Sequence, residues 1–211
     1  MTKQLFLTSS VHAVAQDIAT KLDLRRQDNK LVFIDTAAEP EKDDDVSWLE
    51  NDRQALIDAG FEVTDYTITG KNREQLEKDL AEYKYIYISG GNTLHLLQKS
   101  YESGFIGLIR DLVENKGKIY ISTSAGSIIA GSKPHDYLLE DKDIGGLGSL
   151  ESYNFVNFLI VPHWGSEYFR EKYLNKRLKI AYKEDQVPMI LLTDKQYVHV
   201  LGDKIHIYDV S

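Results

Sequence analysis

Three short stretches of this 211-residue chain set reactive polar side chains among residues small enough to expose them. Ser122-Thr123-Ser124-Ala125-Gly126 follows I-Y-I, a β-branched and aromatic run suited to a buried strand, and leads into small and apolar residues suited to a helix packed on a sheet. A strand turning sharply into a helix here pushes the Ser124 hydroxyl beyond the sheet edge. That is the geometry of the nucleophile elbow G-x-S-x-G, with Ser122 in place of the first glycine. The alternative is an ordinary strand-to-helix turn capped by Ser or Thr. Ser89-Gly90-Gly91-Asn92 offers a second half-site. Two glycines let a backbone N–H approach a developing oxyanion, and the N–H of Ala125 would complete the pair. Its alternative is a turn in which Asn92 caps the next helix.

A nucleophilic serine needs a base, and the chain has six histidines. His12, His95 and His135 fall on helices or loops with polar neighbours, and His199 and His206 on late strands. His163 stands apart: it ends a strand, Pro162 restricts the backbone before it, and Gly165 leaves space beside it. A carboxylate must then orient the imidazole. Order along the chain does not select one among Asp136, Asp141, Asp143, Glu167 and Asp194.

The elements that must position these groups alternate. Apolar runs at Gln4 to Thr8, Lys30 to Thr36, Phe61 to Thr67, Tyr83 to Ser89 and Ile119 to Ser122 read as strands. Helical spacing occupies His12 to Leu24, Val46 to Ala59, Asn72 to Ala81, Thr93 to about Lys99, and Ile106 to Asn115. This order predicts an α/β fold, a doubly wound, mostly parallel sheet with helices on both faces, over a single domain, 1–211. Reactive groups should gather beyond the carboxyl ends of its strands. Lys133 to Asn154 is a long irregular connection of the kind that is often functional or mobile. Phe155 to Val161 reads as a strand, Glu167 to Tyr182 as a helix, and Met189 to Thr193, Tyr197 to Leu201 and Lys204 to Tyr208 as a C-terminal β meander.

Composition narrows the partners. A net charge of -8 lacks the basic face that non-specific nucleic-acid binding requires. No run approaches membrane-spanning length, and the N-terminal strand lacks the apolar core of a signal peptide, so the expected location is the cytoplasm. Zero cysteines exclude disulfides, thiolate metal sites and a Cys nucleophile. No His/carboxylate spacing suggests a metal, and no P-loop or dinucleotide fingerprint suggests a phosphate cofactor.

Taken together, Ser89-Gly90-Gly91-Asn92-Thr93, Thr123-Ser124-Ala125-Gly126-Ser127 and Pro162-His163-Trp164 resemble the peptidase E family, serine peptidases related to cyanophycinases on a fold like that of class I glutamine amidotransferases. The resemblance spans about residues 85 to 200 and includes Gly146-Leu147-Gly148. It implies Ser124 as nucleophile, His163 as base, and Gly91 and Ala125 as oxyanion donors, with Gly90 and Asn92 beside the substrate. The third member would be an acid after the histidine. Leu192-Thr193-Asp194 matches best, with Asp194 one methylene shorter than the glutamate associated with that place. Members cleave after an N-terminal aspartate and hold its carboxylate with an arginine, whose nearest counterpart is Arg170 at a shorter spacing from the histidine. No metal or other cofactor is implied, and the expected partner is a small peptide. A related amidase or isoaspartyl-type hydrolase, or a silent small-ligand binding domain, would use the same fold.

Overall fold

The structure, a computed structural model, describes residues 2–24, 28–41, 45–132, 150–178 and 187–210. Strands β1 (Gln4–Thr8), β2 (Lys30–Ile34), β3 (Glu62–Tyr66), β4 (Tyr85–Ile88) and β5 (Ile119–Thr123) pair in parallel. With β8 (Gln196–Leu201) and β9 (Lys204–Asp209) they form a seven-stranded sheet of order β3-β2-β4-β5-β1-β8-β9.

Side chains alternate across the strands, and both faces are apolar. Leu7, Ile34, Ile88 and Tyr120 enter a core on one face, beneath α4 (Thr93–Glu102) and α5 (Phe105–Glu114). Phe6, Phe33, Tyr87 and Ile121 enter the other, beneath α1 (Ala15–Leu22) and α2 (Ser47–Asp58). Each such buried side chain contributes about 1.5–3 kcal/mol. The remaining helices are α3 (Arg73–Asp79), α6 (Ala125–Ile128) and α7 (Glu167–Lys172), and from α7 the chain runs on through a π turn, Tyr173–Arg177. The doubly wound arrangement is the one expected.

Three details differ. The helix expected from His12 is a 3₁₀ turn, Val11–Ala13, followed by α1. Between the second strand and the helix expected from Val46 lies a 3₁₀ segment, Thr36–Glu41. Of the three C-terminal strands, only β8 and β9 make a hairpin. β7 (Met189–Leu191) pairs in parallel with β6 (Leu159–Val161) as a separate two-stranded sheet. Short apolar runs declare themselves strands but not their partners, and this one finds its partner upstream, across α7.

Parallel pairing places carboxyl ends on one edge. The ends of β1, β4 and β5 lead directly to Ser9, Ser89 and Ser124. The small sheet does the same for two further groups. Val161 pairs with Leu191, and Trp164 N–H donates to Leu192 C=O at 2.9 Å, so His163 and Asp194 leave adjacent strand ends together. No helix among the described residues is long and apolar enough to cross a membrane.

Candidate active site

Ser124 occupies the turn between β5 and α6 at φ 45°, ψ -104°. A non-glycine residue held there costs on the order of 1–3 kcal/mol, so the surrounding structure must enforce it. It does so by close packing. Ser124 N–H donates to Thr8 C=O at 3.1 Å, and a Cβ added at Gly126 would lie 2.6 Å from Ile88 O. Only glycine lets α6 sit this near β4. Ser122, the departure from the elbow pattern, is fully buried, and its hydroxyl pairs with Ser127 Oγ at 2.9 Å. Ser127 in turn donates to Thr8 C=O at 2.7 Å, so the extra hydroxyl is absorbed into the strand-helix junction.

Ser124 Oγ lies 3.1 Å from His163 Nε2. His163 Nδ1 lies 2.7 Å from Asp194 Oδ1. With Nδ1–H donating to the carboxylate, Nε2 of the neutral ring accepts from the serine hydroxyl. His163 itself has φ 63°, and its ring stacks on Phe169 at 4.5 Å and 7°. Tyr173 OH donates to Pro162 C=O, which ties the helical segment to the strand end that carries His163. The Asp194 carboxyl is held below its ordinary range. The His163 hydrogen bond is the main cause, burial opposes it, and the Ser9 hydroxyl reinforces it.

Gly90 and Gly91 form a neighbouring wall of the same cleft, which encloses about 1130 Å³. A Cβ built on Gly90 would stand 3.4 Å from Ser124 Cβ, and one on Gly91, at φ 121°, would lie 2.3 Å from Ala37 O. Gly91 N–H and Ala125 N–H donate none of the backbone hydrogen bonds found among the described residues. Asn92 lines the cleft, but its Oδ1 accepts from His95 N–H at 2.9 Å, so it also caps α4. The expected cap is therefore present, on the wall of the cleft.

Arg170 does not join them, and this corrects the expectation for it. Tyr168, Phe169 and Lys172 face the cleft, whereas Glu167, Arg170 and Leu174 line a smaller hollow on another side of the helix. One residue is about 100° of helical rotation, which separates Arg170 from Phe169. Its side chain is 59% exposed, and its guanidinium pairs with Glu167 at 3.4 Å. Asp136, Asp141, Asp143 and His135 lie outside the described residues. His95 pairs with Glu39 at 2.9 Å, and His199 stacks on Phe6. Among the described residues no group of three or more His, Cys, Asp or Glu is arranged to hold a metal.

Two features escaped the sequence reading. Ser9, just past β1, accepts from His163 N–H at 2.6 Å and donates to Asp194 Oδ1 at 2.8 Å. Its position at a parallel strand's carboxyl end was the available signal. His12 pairs with buried Asp52 at 3.0 Å and borders the same cleft. No local pattern links residues 40 positions apart on a turn and a helix.

The model of peptidase family S51 matches residues 5–208. An uncharacterized peptidase of Listeria monocytogenes is 30% identical over 173 residues, covering 80% of this chain and 82% of that one. A Drosophila melanogaster protein named "Probable alpha-aspartyl dipeptidase" is 32% identical over 157 residues, covering 72% of this chain and 62% of that one. A 1.5 Å crystal structure of a Listeria monocytogenes protein, described provisionally as a peptidase E, superposes with a TM-score of 0.87 at 25% identity over 100% of both chains.

Proposed function

The chain belongs to peptidase family S51, and on that premise we propose that it is a serine peptidase that cleaves short peptides with an N-terminal aspartate through an acyl-enzyme. The observation that carries the reading is the 3.1 Å approach of Ser124 Oγ to His163 Nε2, continued to Asp194 at 2.7 Å.

In the proposed cycle, the substrate peptide lies in the cleft with its scissile carbonyl over Ser124. His163 Nε2 takes the hydroxyl proton as Oγ bonds to the carbonyl carbon. Asp194 keeps the ring in the required tautomer and stabilises the imidazolium that forms. The oxyanion is received by the N–H groups of Gly91 and Ala125, each worth on the order of 3 kcal/mol to the barrier. His163 then protonates the leaving amine, the C–N bond breaks, and the acyl group stays on Oγ. Water, deprotonated by the same imidazole, attacks the ester, and the serine leaves with its proton restored. No resident metal or organic cofactor enters these steps.

Support for aspartate comes from the relative named as an alpha-aspartyl dipeptidase. The test is hydrolysis of an aspartyl anilide by wild-type protein and by Ser124→Ala. Turnover should fall by about 10⁴-fold or more in the variant. Activity that persists in clean, folded Ser124→Ala would sink the serine mechanism.

A further inference from the structure

With Arg170 turned away, Lys172 and His12 are the basic side chains outside the proposed triad that line the cleft and can receive an anionic substrate. His12 sits in the turn after β1, and Val11 N–H donates to Thr123 Oγ1 at 3.0 Å. The turn is thereby fastened to the residue that precedes Ser124, and His12 and Ser124 line the same cleft. Behind the ring lies Asp52, only 1% exposed. Its Oδ1 accepts from His12 N–H at 3.2 Å and contacts Nδ1 at 3.0 Å, while Oδ2 accepts from Tyr87 OH at 2.7 Å.

A buried carboxylate without a counter-charge is costly. Among the described residues no lysine or arginine ion-pairs with Asp52, and the charge that His12 gains on protonation lies 3.0 Å from its carboxyl. The His12 pKa is raised accordingly: the hydrogen bond from Asp52 leads, and burial opposes it. The ring's other nitrogen, Nε2, makes no hydrogen bond among the described residues, and the side chain is 43% exposed. A second catalytic relay is ruled out by geometry. Ser10 Oγ approaches Nδ1 at 2.9 Å, the nitrogen that Asp52 already holds, whereas a relay needs hydroxyl and carboxylate on opposite nitrogens. What is left is an imidazole whose Nε2 has no hydrogen-bond partner among the described residues, on a side chain that lines a peptide-sized cleft.

We propose that the His12–Asp52 pair is the specificity subsite of this peptidase, in which Nε2–H of His12 receives the side-chain carboxylate of the substrate's N-terminal aspartate. The bond is a charge-assisted N–H to carboxylate contact, and the buried Asp52 fixes the ring that makes it. Asp52 acts through His12 as a positioning residue. This inference rests on the N-terminal-aspartate reading above.

The test compares aspartyl and asparaginyl anilides, which differ in that one charge and carry no C-terminal carboxylate. Wild-type protein should prefer the aspartyl substrate, and in His12→Gln the ratio of the two kcat/KM values should drop by about 10- to 100-fold. Binding of L-aspartate and L-asparagine to Ser124→Ala, with and without His12→Gln, supplies the same ratio without turnover. A wild-type preference that survives His12→Gln by both measurements overturns the subsite and leaves the aspartyl reading standing. Equal handling of both substrates by wild-type protein overturns the two together.

Discussion

Ser9 and Asp194, from opposite ends of the chain, share a hydrogen bond of 2.8 Å, and the same Ser9 hydroxyl accepts the backbone N–H of His163 at 2.6 Å. One small residue past β1 thus locks the small β6–β7 sheet, with its histidine and carboxylate, onto the main sheet that carries Ser124. The proposed triad is assembled across two sheets, and Ser9 is the bolt between them.

Ser9→Ala should therefore misplace the base without touching the substrate. We expect kcat to fall by about 10- to 100-fold with KM little changed, in line with the loss of a hydrogen bond to a charged group. Steady-state kinetics on an aspartyl anilide decide it. A change confined to KM would show that Ser9 belongs to substrate binding.

Asp194→Asn should lower kcat by about 10³–10⁴-fold, because the amide cannot stabilise the imidazolium. The pair also carries a pH signature. The folded Asp194 pKa is lowered from an ordinary 3.8, so its contribution to stability is full above that value and is lost as pH falls through the folded one. Wild-type and Asp194→Asn melting temperatures should converge only at strongly acid pH, which thermal denaturation across that range will read.

Gly91→Ala tests the oxyanion wall. The added Cβ would stand 2.3 Å from Ala37 O at φ 121°, where backbone must move before a methyl fits. We expect a stability loss of about 3 kcal/mol or more, seen as a lower urea midpoint, together with loss of turnover. A variant that keeps wild-type stability would mean that this loop is far more pliant than its packing indicates.

His12 should keep its proton above pH 6.5 in the wild-type protein and lose that elevation in Asp52→Asn. The groups facing it are Asp52 on α2, bonded directly, Asp194 through space, and Glu41, Asp45, His163 and Lys172 around the cleft. Because its folded pKa is raised, the pair's stabilising contribution is full below about 6.5 and fades as pH rises through the folded value. NMR titration of the imidazole protons measures this, and identical midpoints in the two proteins would remove Asp52 as the cause.

Strand-helix alternation, the apolar runs and the two glycine-bearing turns made the α/β architecture and the Ser89-Gly90-Gly91 and Ser124 strand ends legible in the sequence, because each is a local pattern written within a dozen residues. His163 was legible too, as a histidine between Pro162 and Gly165 at a strand end. The rest was decided only by tertiary packing. Chain order did not separate Asp194 from the other acids and only the family resemblance pointed to it; its contact with His163 exists because β7 pairs with β6, and Arg170 was lost from the site by a single step of helical rotation. Ser9 carries no local signal beyond its place at a strand's carboxyl end, and the His12–Asp52 pair carries none, since their partners arrive from elements far away in the chain. Local sequence specifies backbone conformation, but hydrogen bonds between distant strand ends exist only once sheet order and register have been set.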